Sequence, residues 1–86
     1  MKTIYKYPLE IKNDTCNLLV PGYRRPLHVG LDPTGTPAIW MEVDTTSVPV
    51  PMTIFIVGTG FDFDPKGKLY LGSFVDGSFV WHIYYS

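Results

Sequence analysis

The stretch LHVGLDPTGTPAIWMEVD, Leu27 to Asp44, decides the fold. Leu27 to Leu31 and Ala38 to Val43 are β-rich runs, and DPTG between them is a turn with an explicit chemistry. Pro33 presets the φ that the second turn position needs, and Gly35 supplies conformational freedom further round. Two such runs with so short a connection pair antiparallel, so the stretch predicts a β-hairpin.

Working back from it, residues 2–7 alternate as a strand, with Thr3, Tyr5 and Tyr7 on one side and Lys2, Ile4 and Lys6 on the other. Pro8 ends free ladder pairing, and Leu9 to Ile11 is available as an edge continuation. A polar turn at Asn13-Asp14 precedes a short apolar strand, Leu18 to Val20, which Pro21-Gly22 stops. Working forward, Thr45 to Pro51 reads as a loop that crosses between sheets, because its prolines remove ladder donors. Met52 to Val57 is apolar on both faces, as a central strand is. KLYLGSF and SFVWHIYYS form a closing hairpin around Val75-Asp76-Gly77.

Eight prolines and eight glycines interrupt the chain too often for a long helix, and no window sustains an i, i+3, i+4, i+7 apolar pattern. The expectation is one all-β domain over residues 1–86, a small sandwich or barrel of about six or seven short, mostly antiparallel strands.

Composition bounds what such a domain can do. A chain of 86 residues buries a modest core worth only a few kcal/mol, and the lone Cys16 excludes an internal disulfide. Thirteen aromatic residues (Phe 5, Tyr 6, Trp 2) are plentiful for this size, which points to subunit contacts and a homo-oligomer. A net charge of −1 argues against coating duplex nucleic acid. No apolar run reaches the ~20 residues of a membrane helix and the N-terminus lacks a signal-peptide core, so the default location is the cytoplasm.

Candidate chemistry is sparse. Gly58-Thr59-Gly60 lets a backbone approach an anion closely, yet its spacing matches no phosphate-loop fingerprint, and FDFDP after it does not begin a helix. On general grounds it is a tight corner. Asp62 and Asp64 share one face of an extended segment but lack the further oxygen ligands of a calcium loop, and read as solvated acids. His28 and His82 sit inside strand patterns without triad or zinc spacing, and Cys16 has no basic neighbour to activate it. No catalytic residue, metal ligand or cofactor is therefore assigned. Arg24-Arg25 beside Tyr23 pairs guanidinium with ring, the combination that holds a phosphate and stacks a base, although adjacent basic residues are more commonly just solvated. The closing strand offers Trp81 on one face and Val80, His82 and Tyr84 on the other; Tyr5 and Tyr7 are candidate neighbours for whichever face is not core.

Four motifs in order, MKTIYKYPLE, LHVGL with PAIWMEVD, IFIVGTG and FVWHIYY, resemble a family of small phage-encoded proteins across nearly the whole chain. In size, phage origin and β-rich composition that family is similar to anti-CBASS sponges, oligomeric phage proteins that sequester cyclic-nucleotide immune signals without cleaving them. The resemblance implies an immune-evasion protein that binds a cyclic dinucleotide or oligonucleotide in the host bacterial cytoplasm. Residue chemistry then suggests Gly58, Thr59 and Gly60 as the phosphate-facing turn, Arg24 or Arg25 for charge, and Tyr5, Tyr7 or Trp81 for stacking. The alternative is a protein-interaction module that inhibits a host protein or serves as a minor virion or assembly component. A phosphodiesterase ranks third, since no acid/base constellation can be assembled.

Overall fold

The computed structural model describes residues 1–12, 14–22 and 25–86. Seven strands follow one another: β1 (Lys2–Pro8), β2 (Thr15–Pro21), β3 (Arg25–Leu31), β4 (Pro37–Asp44), β5 (Pro49–Gly58), β6 (Leu69–Asp76) and β7 (Phe79–Tyr85). They form two sheets, β1-β4-β3 and β2-β5-β7-β6, with every pairing antiparallel. The described residues contain no helix, so none could cross a membrane as one. This is the sandwich form of the all-β expectation.

The β3–β4 hairpin is where the sequence put it, and its turn is fixed by Asp32. The carboxylate accepts from Thr34 N (2.9 Å), Thr34 Oγ1 (2.7 Å), Thr36 N (2.9 Å) and Lys6 Nζ (3.0 Å). The Thr34 hydroxyl first, then the Thr36 amide and Lys6, hold that carboxyl far below the usual carboxylate range. Gly35 takes φ +86°, the left-handed conformation the turn requires.

One core lies between the sheets. Ile39, Met41 and Val43 alternate inward from β4, and Met52, Ile54 and Ile56 from β5; Val20, Val29, Phe74 and Ile83 join them. Leu9 does not extend β1. It turns inward to 4% exposure and donates its amide to Pro37 O at 2.8 Å, so the link from β1 to β2 plugs the sandwich.

Three boundaries differ from the sequence reading, each for a physical reason. Pro49 and Pro51 belong to β5, opposite Pro21 and Leu19 of β2. Thr53 N donates to Ser86 O on the β7 side, and β7 pairs only from Ile54 onward. Because amides alternate in direction along a strand, the missing donors of residues 49 and 51 fall on that same side, where none of the described residues pairs with them. The crossing between sheets is left to Thr45–Val48. Second, β2 starts at Thr15 and β3 at Arg25, earlier than their apolar runs suggested, because ladder pairing with β5 and β4 continues through the polar residues. Third, Val75 and Asp76 are strand residues, and the last turn is Gly77-Ser78 with Gly77 at φ +63°, as a two-residue hairpin with glycine first requires. The Asn13 half of the expected Asn13-Asp14 turn lies outside the described residues.

Two bulges face one another. Register shifts between Pro26 and His28 in β3 and between Tyr70 and Gly72 in β6, and these strands meet where the sheets close together. A Cβ on Gly72 would stand 2.9 Å from Val29 Cγ1, so glycine is what admits the approach.

Candidate functional site

The outer face of the larger sheet carries the densest chemistry. In an unbroken strand Tyr70 and Ser73, three apart, would point to opposite faces. The β6 bulge adds one residue between them, so Tyr70 pairs with Tyr84, Ser73 pairs with His82, and all four side chains share the outer face. Tyr70 OH lies 2.6 Å from Ser73 Oγ, Ser73 Oγ lies 2.7 Å from His82 Nδ1, and Thr59 Oγ1 lies 2.7 Å from His82 Nε2. Thr59 Oγ1 also reaches Val80 O at 3.4 Å.

One assignment that satisfies every contact has Tyr70 donating to Ser73, Ser73 to Nδ1, Nε2–H to Thr59, and Thr59 to the Val80 carbonyl. No carboxylate touches either ring nitrogen among the described residues, and the Ser73 hydroxyl is shared between His82 Nδ1 and the Tyr70 hydroxyl. The chain therefore presents hydroxyl groups in a fixed order and lacks the acid that orients a triad histidine.

An aromatic platform adjoins it. Tyr84 meets Tyr70 edge-on (centroids 5.4 Å, 61°) and Phe63 at 4.6 Å and 44°, and Tyr70 remains 58% exposed. Residues 59–68, the β5–β6 loop, bring Phe63 over the sheet, and Lys68 Nζ then sits 4.9 Å from the Phe55 centroid and 5.4 Å from that of Phe63. Beside this lies a hollow of about 310 Å³ lined by Asp14, Phe55, Phe61, Asp62, Phe63 and Lys68, among others.

The residues singled out in the sequence are dispersed. Gly58-Thr59-Gly60 is a tight corner: Phe61 N donates to Gly58 O at 3.0 Å and Gly60 takes φ +88°. Gly58 is buried, and a Cβ there would come within 3.1 Å of Phe61 and 3.2 Å of Trp81. Thr59 alone of the three reaches the polar chain. Trp81 lies on the inner face of its sheet, against the core, stacked with Phe79 (5.7 Å, 23°) and edge-on to Phe61 (6.3 Å, 90°).

Tyr5 and Tyr7 belong to the other sheet, opposite Met41 and Ile39, with their rings 6.4 Å apart. Burial and then Tyr5 push the Tyr7 phenol upward. Arg25 stands on that sheet's opposite face, 3.6 Å from Glu42, near the β4–β5 end and most of a strand's length from Gly58. Arg24 lies outside the described residues. Thus Arg25, the tyrosine pair and the glycine corner do not converge within one copy of the chain. Cys16 is half-buried, and burial, then Glu10, push its thiol upward, away from reactivity.

Sequence reasoning missed Tyr70, Ser73, His82 and Tyr84 as a group, because only the bulge aligns them. Gly72 was the available signal, since glycine inside a strand pattern marks a bulge or a close backbone approach.

A family model described as a domain of unknown function, DUF7352, matches residues 1–86. No curated protein and no solved structure matches the chain.

Proposed function

We propose that this chain, which belongs to the DUF7352 family, is a non-catalytic binding protein that holds a nucleotide on the outer face of the β2-β5-β7-β6 sheet. Its ligand class is the cyclic nucleotide signals of bacterial anti-phage defence, and its action is to sequester them intact in the host cytoplasm. The observation that carries the reading is the pairing of exposed Tyr70 and neighbouring Tyr84 with the ordered hydroxyl and imidazole groups of Ser73, His82 and Thr59. The rings offer a stacking surface, and the polar chain offers partners for sugar and phosphate oxygens.

Electrostatics set the orientation. Asp62 and Asp64 lie in the same loop as Thr59, so a phosphate is favoured only on the Thr59–His82 side. Affinity sets the stoichiometry. Stacking contributes about 1–3 kcal/mol per base, whereas a nanomolar trap requires roughly −12 kcal/mol. A second copy closing over the ligand supplies what one open face lacks, in keeping with a homo-oligomer.

The test is thermal melting of the purified protein against cyclic di- and trinucleotides, with the ligand recovered after denaturation. Selective stabilisation of about 2.7 kcal/mol at a hundredfold excess over Kd, lost in Tyr84→Ala and with ligand returned intact, is the expected result. Cleaved ligand would move the protein to the phosphodiesterases. No shift for any nucleotide would favour a protein partner, a reading that the exposed phenyl groups of Phe61 and Phe79, each 63% accessible, also support.

A further inference from the structure

The hollow beside Phe63 has a chemistry opposite to that of a phosphate site. Three phenyl rings, Phe55, Phe61 and Phe63, line it together with three carboxylates, Asp14, Asp62 and Asp64, against one base, Lys68. Asp14 and Asp62 carboxylates form no ion pair or side-chain hydrogen bond among the described residues, and Asp64 Oδ1 accepts only the Lys66 amide at 3.0 Å. The rim is therefore uncompensated.

What the hollow accepts is visible in what it holds. Lys68 Nζ stands over two rings at 4.9 and 5.4 Å, and its one hydrogen bond runs to Asp64 O at 2.8 Å. A ring face attracts a cation through its quadrupole, most strongly when the cation has shed water. Lysine reaches this place on a flexible four-carbon stem, without a carboxylate partner among the described residues to fix it. An occupant held that way can swing out.

We infer that this hollow is a binding site for a small organic ammonium group, with the Lys68 ammonium as its resident stand-in. The ligand's cationic head replaces Lys68 between Phe55 and Phe63 while Asp14 and Asp62 face it from the rim. At about 310 Å³ the hollow is at the lower limit of small-molecule pockets, with room for one small organic ammonium compound. The inference does not depend on nucleotide binding, since the hollow and the Tyr70–Ser73–His82 chain involve different residues.

The experiment compares choline with its neutral isostere 3,3-dimethylbutan-1-ol, by NMR titration of the full chain and its Lys68→Ala and Lys68→Gln variants. Choline should bind either Lys68 variant about tenfold more tightly than the wild type, and about tenfold more tightly than the isostere, a difference of roughly 1.4 kcal/mol. Phe63→Leu in the Lys68→Gln background keeps an apolar wall without the ring face, and should erase the preference for choline. Equal binding of choline and the isostere would overturn the proposal in favour of a merely apolar hollow. Absence of choline binding at millimolar concentration in the folded Lys68 variants would overturn it outright.

Discussion

Gly72→Ala is the most demanding test of the seam between β3 and β6. The new Cβ would lie 2.9 Å from Val29 Cγ1, inside the distance real Cβ contacts adopt, and Val29 is 4% exposed with little room to retreat. Overpacking of this kind costs about 1–3 kcal/mol, while replacing glycine recovers ~0.4–1 kcal/mol by restricting the unfolded chain. The net loss should be about 1–2 kcal/mol, or roughly 4–16 °C in Tm for a domain of this size. Val29→Ala alone removes two buried carbon groups, worth ~1.6 kcal/mol in transfer, and leaves a cavity that raises the loss to about 2–3 kcal/mol. In the double variant the alanine methyl at 72 moves into the space vacated at 29. Urea unfolding of all four proteins should show a coupling of at least ~1 kcal/mol, with the double variant no less stable than Val29→Ala. Losses that add to within ~0.5 kcal/mol would mean the two strands do not touch there, and the closing of the sandwich along that edge would have to be abandoned.

Other expectations are simpler to check. The Asp32 carboxyl is held low by Thr34, Thr36 and Lys6, so it contributes stability that is present above the unfolded value, near pH 4, and lost as pH falls toward its folded value. Between pH 5 and 2 the urea midpoint of the wild type should therefore fall more steeply than that of Asp32→Asn; parallel curves would exclude Asp32 as the acid-sensitive group. Ile83→Ala, at a fully buried position in the middle rung of the β5–β7 ladder, should cost about 2–5 kcal/mol in chemical denaturation. Pro51→Ala should lose only ~0.4–1 kcal/mol, an unfolded-state effect with no hydrogen bond at stake, and a loss above 2 kcal/mol would show that the ring packs as core.

The fold was largely legible because its signals are local. DPTG names the first hairpin and Gly77 the last, although Met52 to Val57, apolar on both faces, did not show which residues of β5 turn inward. What was not legible depends on counting across strands. A single inserted residue at the β6 bulge reverses the facing of everything on one side of it, and no period-2 reading can anticipate that. The same limit affects the site: Ser73 and His82 are nine residues apart and meet only through register, whereas Tyr5, Arg25 and Trp81, attractive by residue type, are separated by sheet and by face. Proline misled in the other direction. Its lack of a donor argues against a strand only where a neighbour is present to miss it, and on the β7 side of residues 49 and 51 none of the described residues pairs.

Those two prolines also bear on how the protein behaves in a crowded cell. Beyond the Thr53–Ser86 rung, β5 has an open flank from Pro49 to Pro51, the kind of exposed border on which stray extended segments nucleate aggregates. An incoming strand needs alternating donors and acceptors to zip on. This flank shows it carbonyls without amides, so an added strand could form only half of the usual ladder and gains correspondingly little.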